Sequence, residues 1–201
     1  MQFKIKSTKY EISFTFLALV LYVLTVNKSK TILIILLFSI LHEMIHLIFI
    51  YLFSVAPEKV SLTIFGANIK RSIITLNNLN SEIIINASAP VFNVLAGAVF
   101  ALLSGIFTNY NSFFLDIANI NFVLGCFNLI PFHTFDGGNV LKNILLKHIT
   151  ENTTEQIITW ISLTVTVAFS FVSIYIFLNY QHNFSLLIIC IYMFLSIIFK
   201  K

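Results

Sequence analysis

Charge is the scarcest property of this 201-residue chain: Asp, Glu, Lys and Arg together make up 10% of it, against about 25% in an average soluble domain. So few charges cannot coat a water-facing surface when 58% of the residues are hydrophobic and mean hydropathy is +0.95. A water-soluble globule is therefore excluded. Three prolines and six glycines exclude a collagen-like chain or a Pro/Gly-rich disordered one. Two cysteines, Cys126 and Cys190, both inside apolar runs, exclude a disulfide scaffold. Heptads, internal repeats and low-complexity tracts are also missing.

What the chain does have is apolar runs long enough to cross a bilayer. Six spans are predicted, at 12–26, 31–53, 83–107, 112–130, 157–178 and 184–199. The first and last are short for about 30 Å of hydrocarbon and require tilt or thinning. The first follows Lys4, Lys6 and Lys9 like a signal peptide, but Leu24-Thr25-Val26-Asn27 offers no small-x-small cleavage site, so an uncleaved span is expected. The fold class read from these runs is an all-α polytopic membrane protein, one integral-membrane domain over residues 1–201.

The net charge of +4 does not point to nucleic acid, because the Lys and Arg residues cluster at the ends of the apolar runs. On one side lie Lys4, Lys6, Lys9, Lys59, Lys70, Arg71, Lys142, Lys147, Lys200 and Lys201; on the other, only Lys28 and Lys30. Basic loops stay in the cytoplasm, so both termini are expected there.

The second span is interrupted by Leu41-His42-Glu43-Met44-Ile45-His46. Ionisable groups at membrane depth are costly and mark functional interiors. On a helix His42 and His46 share a face one turn apart, so two imidazoles can converge on one ion with Glu43 beside them as general base. The alternative is a pair of buried histidines satisfied by neighbouring groups. His42 lies about eleven residues, roughly 16 Å, into the span, near mid-membrane.

A catalytic zinc takes three protein ligands and keeps one position open. Asp136 is the candidate third ligand, in Asn128-Leu129-Ile130-Pro131-Phe132-His133-Thr134-Phe135-Asp136-Gly137-Gly138 at the end of the fourth span. Pro131 disfavours helix before it, and the glycines permit a sharp turn. Two alternatives stand beside this: an Asp-Gly turn capping a helix at 139–149, and His133 as ligand instead. His2Asp with an open position favours Zn2+ over ions that prefer harder ligands.

These residues resemble the site-2 proteases, a family of intramembrane zinc metalloproteases. The HExxH motif stands as His42-Glu43-Met44-Ile45-His46 and the NxxPxxxxDG motif as Asn128 to Gly137; an AGPxxN-like segment stands as Ser88-Ala89-Pro90-Val91-Phe92-Asn93, with Ala89 in place of glycine. The resemblance implies zinc held by His42, His46 and Asp136, Glu43 as base, and a bacterial cell membrane. It also implies that Asn93 lines the active site and bonds substrate; an interhelical hydrogen bond is the equal alternative. Asn93, Asn128 and His133 are expected to line a polar water path, with Asn93 and Asn128 as substrate-binding candidates.

The six-span layout is most similar to the sporulation branch, whose member matures a membrane-associated pro-sigma factor. The implied partners are a membrane-associated protein substrate, a membrane regulatory protein and the bilayer itself. No nucleotide-binding CBS domain or PDZ insertion is expected within residues 1–201.

After the second span, Val60-Ser61-Leu62-Thr63-Ile64 alternates apolar and polar residues before a turn at Phe65-Gly66-Ala67-Asn68 and a continuation at Ile69-Lys70-Arg71. A small β-hairpin is predicted, either with Leu62 and Ile64 on an edge that pairs with substrate backbone or as a surface hairpin without function. Two other functions compete with the protease. A divalent-metal transporter would normally show repeat symmetry, and no related half is present; a noncatalytic scaffold would leave Glu43 dispensable.

Overall fold

An apolar run in lipid must satisfy its backbone polar groups internally, and the helix is the local way to do so. The computed structural model describes residues 2–5, 8–25, 29–53, 59–63, 66–70, 78–179 and 184–199. The chain divides into two units, Met1–Asn128 and Leu129–Lys201.

Among its described residues the first unit combines four α-helices and a short 3-10 turn (Thr108–Tyr110) with a sheet: β1 (Gln2–Ile5), β2 (Thr8–Ile12), α1 (Phe14–Thr25), α2 (Lys30–Phe53), β3 (Lys59–Thr63), β4 (Gly66–Lys70), α3 (Leu79–Ile106) and α4 (Asn111–Asn128). The strand order is β1-β2-β3-β4. The outer pairs are antiparallel, while β2 and β3 are parallel. Lys59 stands opposite both Lys9 and Lys70. Lys59 forms an ion pair with Glu11, two residues along β2 from Lys9.

Three sequence expectations change here. Ile12 does not begin the first span; it ends β2, paired with Leu62, so α1 has 12 residues and rises only about 18 Å. The turn expected over Phe65–Asn68 is displaced, because Gly66, Ala67 and Asn68 already pair with β3. Leu62 is not on a sheet edge: β3 is hydrogen-bonded to β2 on one side and β4 on the other, which leaves β1 and β4 as the outer strands. Ile64 and Phe65 lie outside the described residues.

The core of this unit is written in steps of four. α2 buries Phe38, His42, His46 and Ile50; α3 buries Ile85, Ala89, Asn93 and Gly97 among others; α4 buries Ile117, Asn121 and Gly125. Each set forms one inward stripe per helix. Small residues let α3 and α4 approach closely: a Cβ on Gly125 would stand 2.9 Å from the Pro90 carbonyl, and one on Gly97 would stand 3.0 Å from the Phe122 ring. Asn78 caps α3 by accepting from the Asn80 and Ser81 amides at 3.1 and 3.5 Å.

The second unit holds α5 (Asp136–Leu145), α6 (Glu151–Asn179) and α7 (Ser185–Ile198). α5 begins three residues before the expected position 139, with Asp136 in its first turn, where the helix dipole favours a carboxylate. An ion pair between Lys142 and Glu155 ties α5 to α6. α6 buries Thr154, Ile158, Ser162, Thr166 and Ser173.

Among the described residues three helices are long and apolar enough to cross a membrane: Lys30–Phe53, Leu79–Ile106 and Glu151–Asn179. The other three predicted spans coincide with α1, α4 and α7. Of these, α1 and α7 are short, with 12 and 14 residues. α4 is diluted by Asp116 and by Asn111, Asn119, Asn121 and Asn128.

Candidate metal centre

In the first unit, α2 presents His42 and His46 on its buried stripe, with ring centroids 5.0 Å apart and the rings nearly perpendicular. Glu43 follows His42 directly and is half-buried. Both imidazoles are anchored on α3 through the same nitrogen. His46 Nδ1 lies 2.9 Å from the Ile85 carbonyl oxygen, and His42 Nδ1 lies 2.8 Å from Asn93 Oδ1. A carbonyl oxygen only accepts, so Nδ1 of His46 is protonated, and in the neutral ring the lone pair then resides on Nε2. The amide oxygen of Asn93 dictates the same for His42.

This is the donor set zinc requires: neutral imidazoles oriented by a hydrogen bond on the far nitrogen, which fixes the tautomer and raises ligand basicity. Asn93 is fully buried, and both ends of its amide are engaged, Oδ1 with His42 and Nδ2 with Asn121 Oδ1 at 3.0 Å. The interhelical alternative for Asn93 is thus realised. Asn128, at the end of α4, donates its Nδ2 to the Leu124 carbonyl at 3.0 Å.

In the second unit the 129–135 segment folds tightly back on the start of α5. Phe132 is fully buried. Its amide donates to the Ile130 carbonyl, its carbonyl accepts from Phe135, and the Phe135 carbonyl accepts from Asn139. The His133 amide donates to Ser162 Oγ at 3.0 Å, pinning the segment to α6. Gly137 and Gly138 are required by space: a Cβ on the first would fall on the Leu129 carbonyl, and a Cβ on the second on the Phe132 carbonyl. The double glycine therefore lets this loop close beneath Asp136 and holds that carboxylate at the first turn of a helix.

Across 98% of this chain and 93% of the other, the structure superposes on the site-2 protease from Methanocaldococcus jannaschii with a TM-score of 0.66 at 22% sequence identity. The fold is that of a site-2 protease. Residues 106–173 match the model of peptidase family M50, a stretch that carries Asp136 and most of α6. A zinc metalloprotease of M. jannaschii is 30% identical over 155 residues, covering 72% of this chain. The chain spans 45% of that protein's length. In this site-2 protease fold, the residue that sequence reasoning underrated is Asn121. It bonds Asn93 across from α4 and so sits directly behind the partner of His42. Its signal was its place in the 117/121/125 stripe of α4.

Proposed function

We propose that this chain is an intramembrane zinc metalloendopeptidase that hydrolyses a peptide bond in or near a membrane segment of a membrane-associated regulatory protein. One observation carries the reading: within an HExxH turn, both histidines donate Nδ1–H to α3 acceptors, so that in the neutral rings Nε2 carries the lone pair a metal needs. His42 and His46 would hold zinc through these nitrogens and Asp136 would complete the set.

Bound zinc supplies a Lewis acid for the scissile carbonyl and lowers the pKa of water toward about 7. Glu43 removes the proton of the attacking water and passes it to the leaving amine. A substrate helix has its backbone hydrogen bonds closed, so cleavage requires local unwinding and favours sites near helix breakers. The outer strand β4 offers unwound substrate a row of backbone partners.

The finer reading follows the sequence. It is a single integral-membrane domain of six spans in a bacterial membrane, with both termini cytoplasmic as the Lys and Arg distribution supports, and a substrate of the pro-sigma-factor kind. The test is purified protein in liposomes with a tethered candidate substrate, wild type against Glu43→Gln, and zinc measured on both. Cleavage by wild type alone with zinc on both supports the proposal; wild type without zinc overturns it.

A further inference from the structure

Asn121 is fully buried in α4 and takes no part in the chemistry above. Its Nδ2 lies 2.9 Å from the Ile117 carbonyl oxygen, its Oδ1 lies 3.0 Å from Asn93 Nδ2, and Asn93 Oδ1 lies 2.8 Å from His42 Nδ1. An amide group is nearly symmetric in shape, so either Asn can in principle turn its oxygen and nitrogen about. The chain of contacts forbids it. A backbone carbonyl only accepts, so the group of Asn121 facing Ile117 is NH2. Its oxygen then faces Asn93, which must answer with NH2, and the oxygen of Asn93 is left for His42. Only one direction satisfies all three bonds, and it ends on a protonated Nδ1.

The two histidines are thus held by different means. His46 bonds a main-chain carbonyl, which cannot flip. His42 bonds an amide, and an amide specifies a tautomer only when something specifies the amide. We propose that Asn121 is a positioning residue for the metal site: by fixing the direction of the Asn93 amide, it fixes His42 as the Nδ1–H tautomer and so presents Nε2 to the metal. This rests on the zinc reading above. Without Asn121, Asn93 can turn its NH2 toward His42, which then accepts at Nδ1, carries its proton on Nε2 and loses its lone pair for the ion.

The experiment compares wild type, Asn121→Leu and Asn121→Asp, purified in detergent as full chains, by zinc competition against a chelator and by 15N NMR of the histidine rings in the metal-free proteins. Asp protonated on the oxygen facing Ile117 donates to that carbonyl and keeps an oxygen opposite Asn93 Nδ2; Leu removes both contacts. The expected result is a loss of zinc affinity of about 10- to 100-fold in Asn121→Leu, with one histidine changing from a single Nδ1–H tautomer to a mixture, and near wild-type behaviour in Asn121→Asp. If Asn121→Leu does not fold, Asn121→Ala carries the same expectation. Wild-type zinc affinity and tautomer in the Leu or Ala variant overturn the relay alone. Equal losses in the Asp and Leu variants overturn it too, since packing and not amide direction would then be at work. Wild type that binds no zinc overturns the metal reading, and the relay with it.

Discussion

His46 Nδ1 and the Ile85 carbonyl oxygen lie 2.9 Å apart, and the same carbonyl accepts from Ser88 Oγ at 2.7 Å. One main-chain oxygen on α3 therefore orients a candidate metal ligand on α2 while also accepting within its own helix. Such an acceptor cannot be deleted by a side-chain substitution, so the residues open to test are those around it.

Replacement of Glu43 by Gln keeps size and removes the proposed base. Cleavage is expected to fall by at least about 100-fold, the usual contribution of a positioned proton carrier, while bound zinc stays at the wild-type level. Replacement of Asp136 by Ala is expected to reduce both. Metal analysis alongside the cleavage assay separates the two variants.

Zinc binds the folded chain alone if its ligands converge only there, so its removal should lower thermal stability. At a free zinc concentration 100 times the dissociation constant, the folded state gains about 2.7 kcal/mol. A chelated sample is expected to melt earlier and to recover on zinc addition, read by scanning fluorimetry in detergent. Identical melting with and without zinc speaks against a built metal site.

Gly138→Ala is expected to destabilise the second unit by about 1–3 kcal/mol, because the new methyl falls on the Phe132 carbonyl, which is main chain and cannot step aside. Gly105, where a Cβ meets nothing within 4 Å, is the control: its Ala variant should be at least as stable as wild type. Chemical unfolding of the pair decides it.

Successive residues of a strand send their backbone groups to opposite sides. Of the neighbours Ala67 and Asn68 in β4, a proline at one disturbs the ladder with β3, and at the other only the outer edge. The edge variant is expected to fold and bind zinc normally yet cleave roughly fivefold more slowly, about the worth of one hydrogen bond. Unchanged cleavage by both variants removes β4 from substrate binding.

The histidine pair was legible in the sequence because a helix converts spacing directly into geometry: His42 and His46 share a face wherever the helix lies. The double glycine was legible as a turn, and the carbonyls it accommodates explain why two are needed. Asn121 was not legible as a partner of Asn93, since 28 residues and a helix reversal separate them and nothing local encodes which buried amide meets which. The strands β1 and β2 were overlooked although Phe3-Lys4-Ile5 and Lys9-Tyr10-Glu11-Ile12 alternate polar and apolar residues. Read next to an apolar run, those lysines look like a membrane flank, and the partner strand that makes them a sheet lies beyond two helices.

The parallel pairing of β2 with β3 also sets an order of events on the ribosome. Lys9 and Lys59 are register partners, so 50 further residues must be synthesised before β2 gains its second neighbour. At about 5–20 residues per second, that is roughly 3–10 s. During this interval β2 can pair only with β1, its other edge open, while α1 and α2 are synthesised. The sheet is completed only after both helices have been synthesised, which makes it a latch closed behind them.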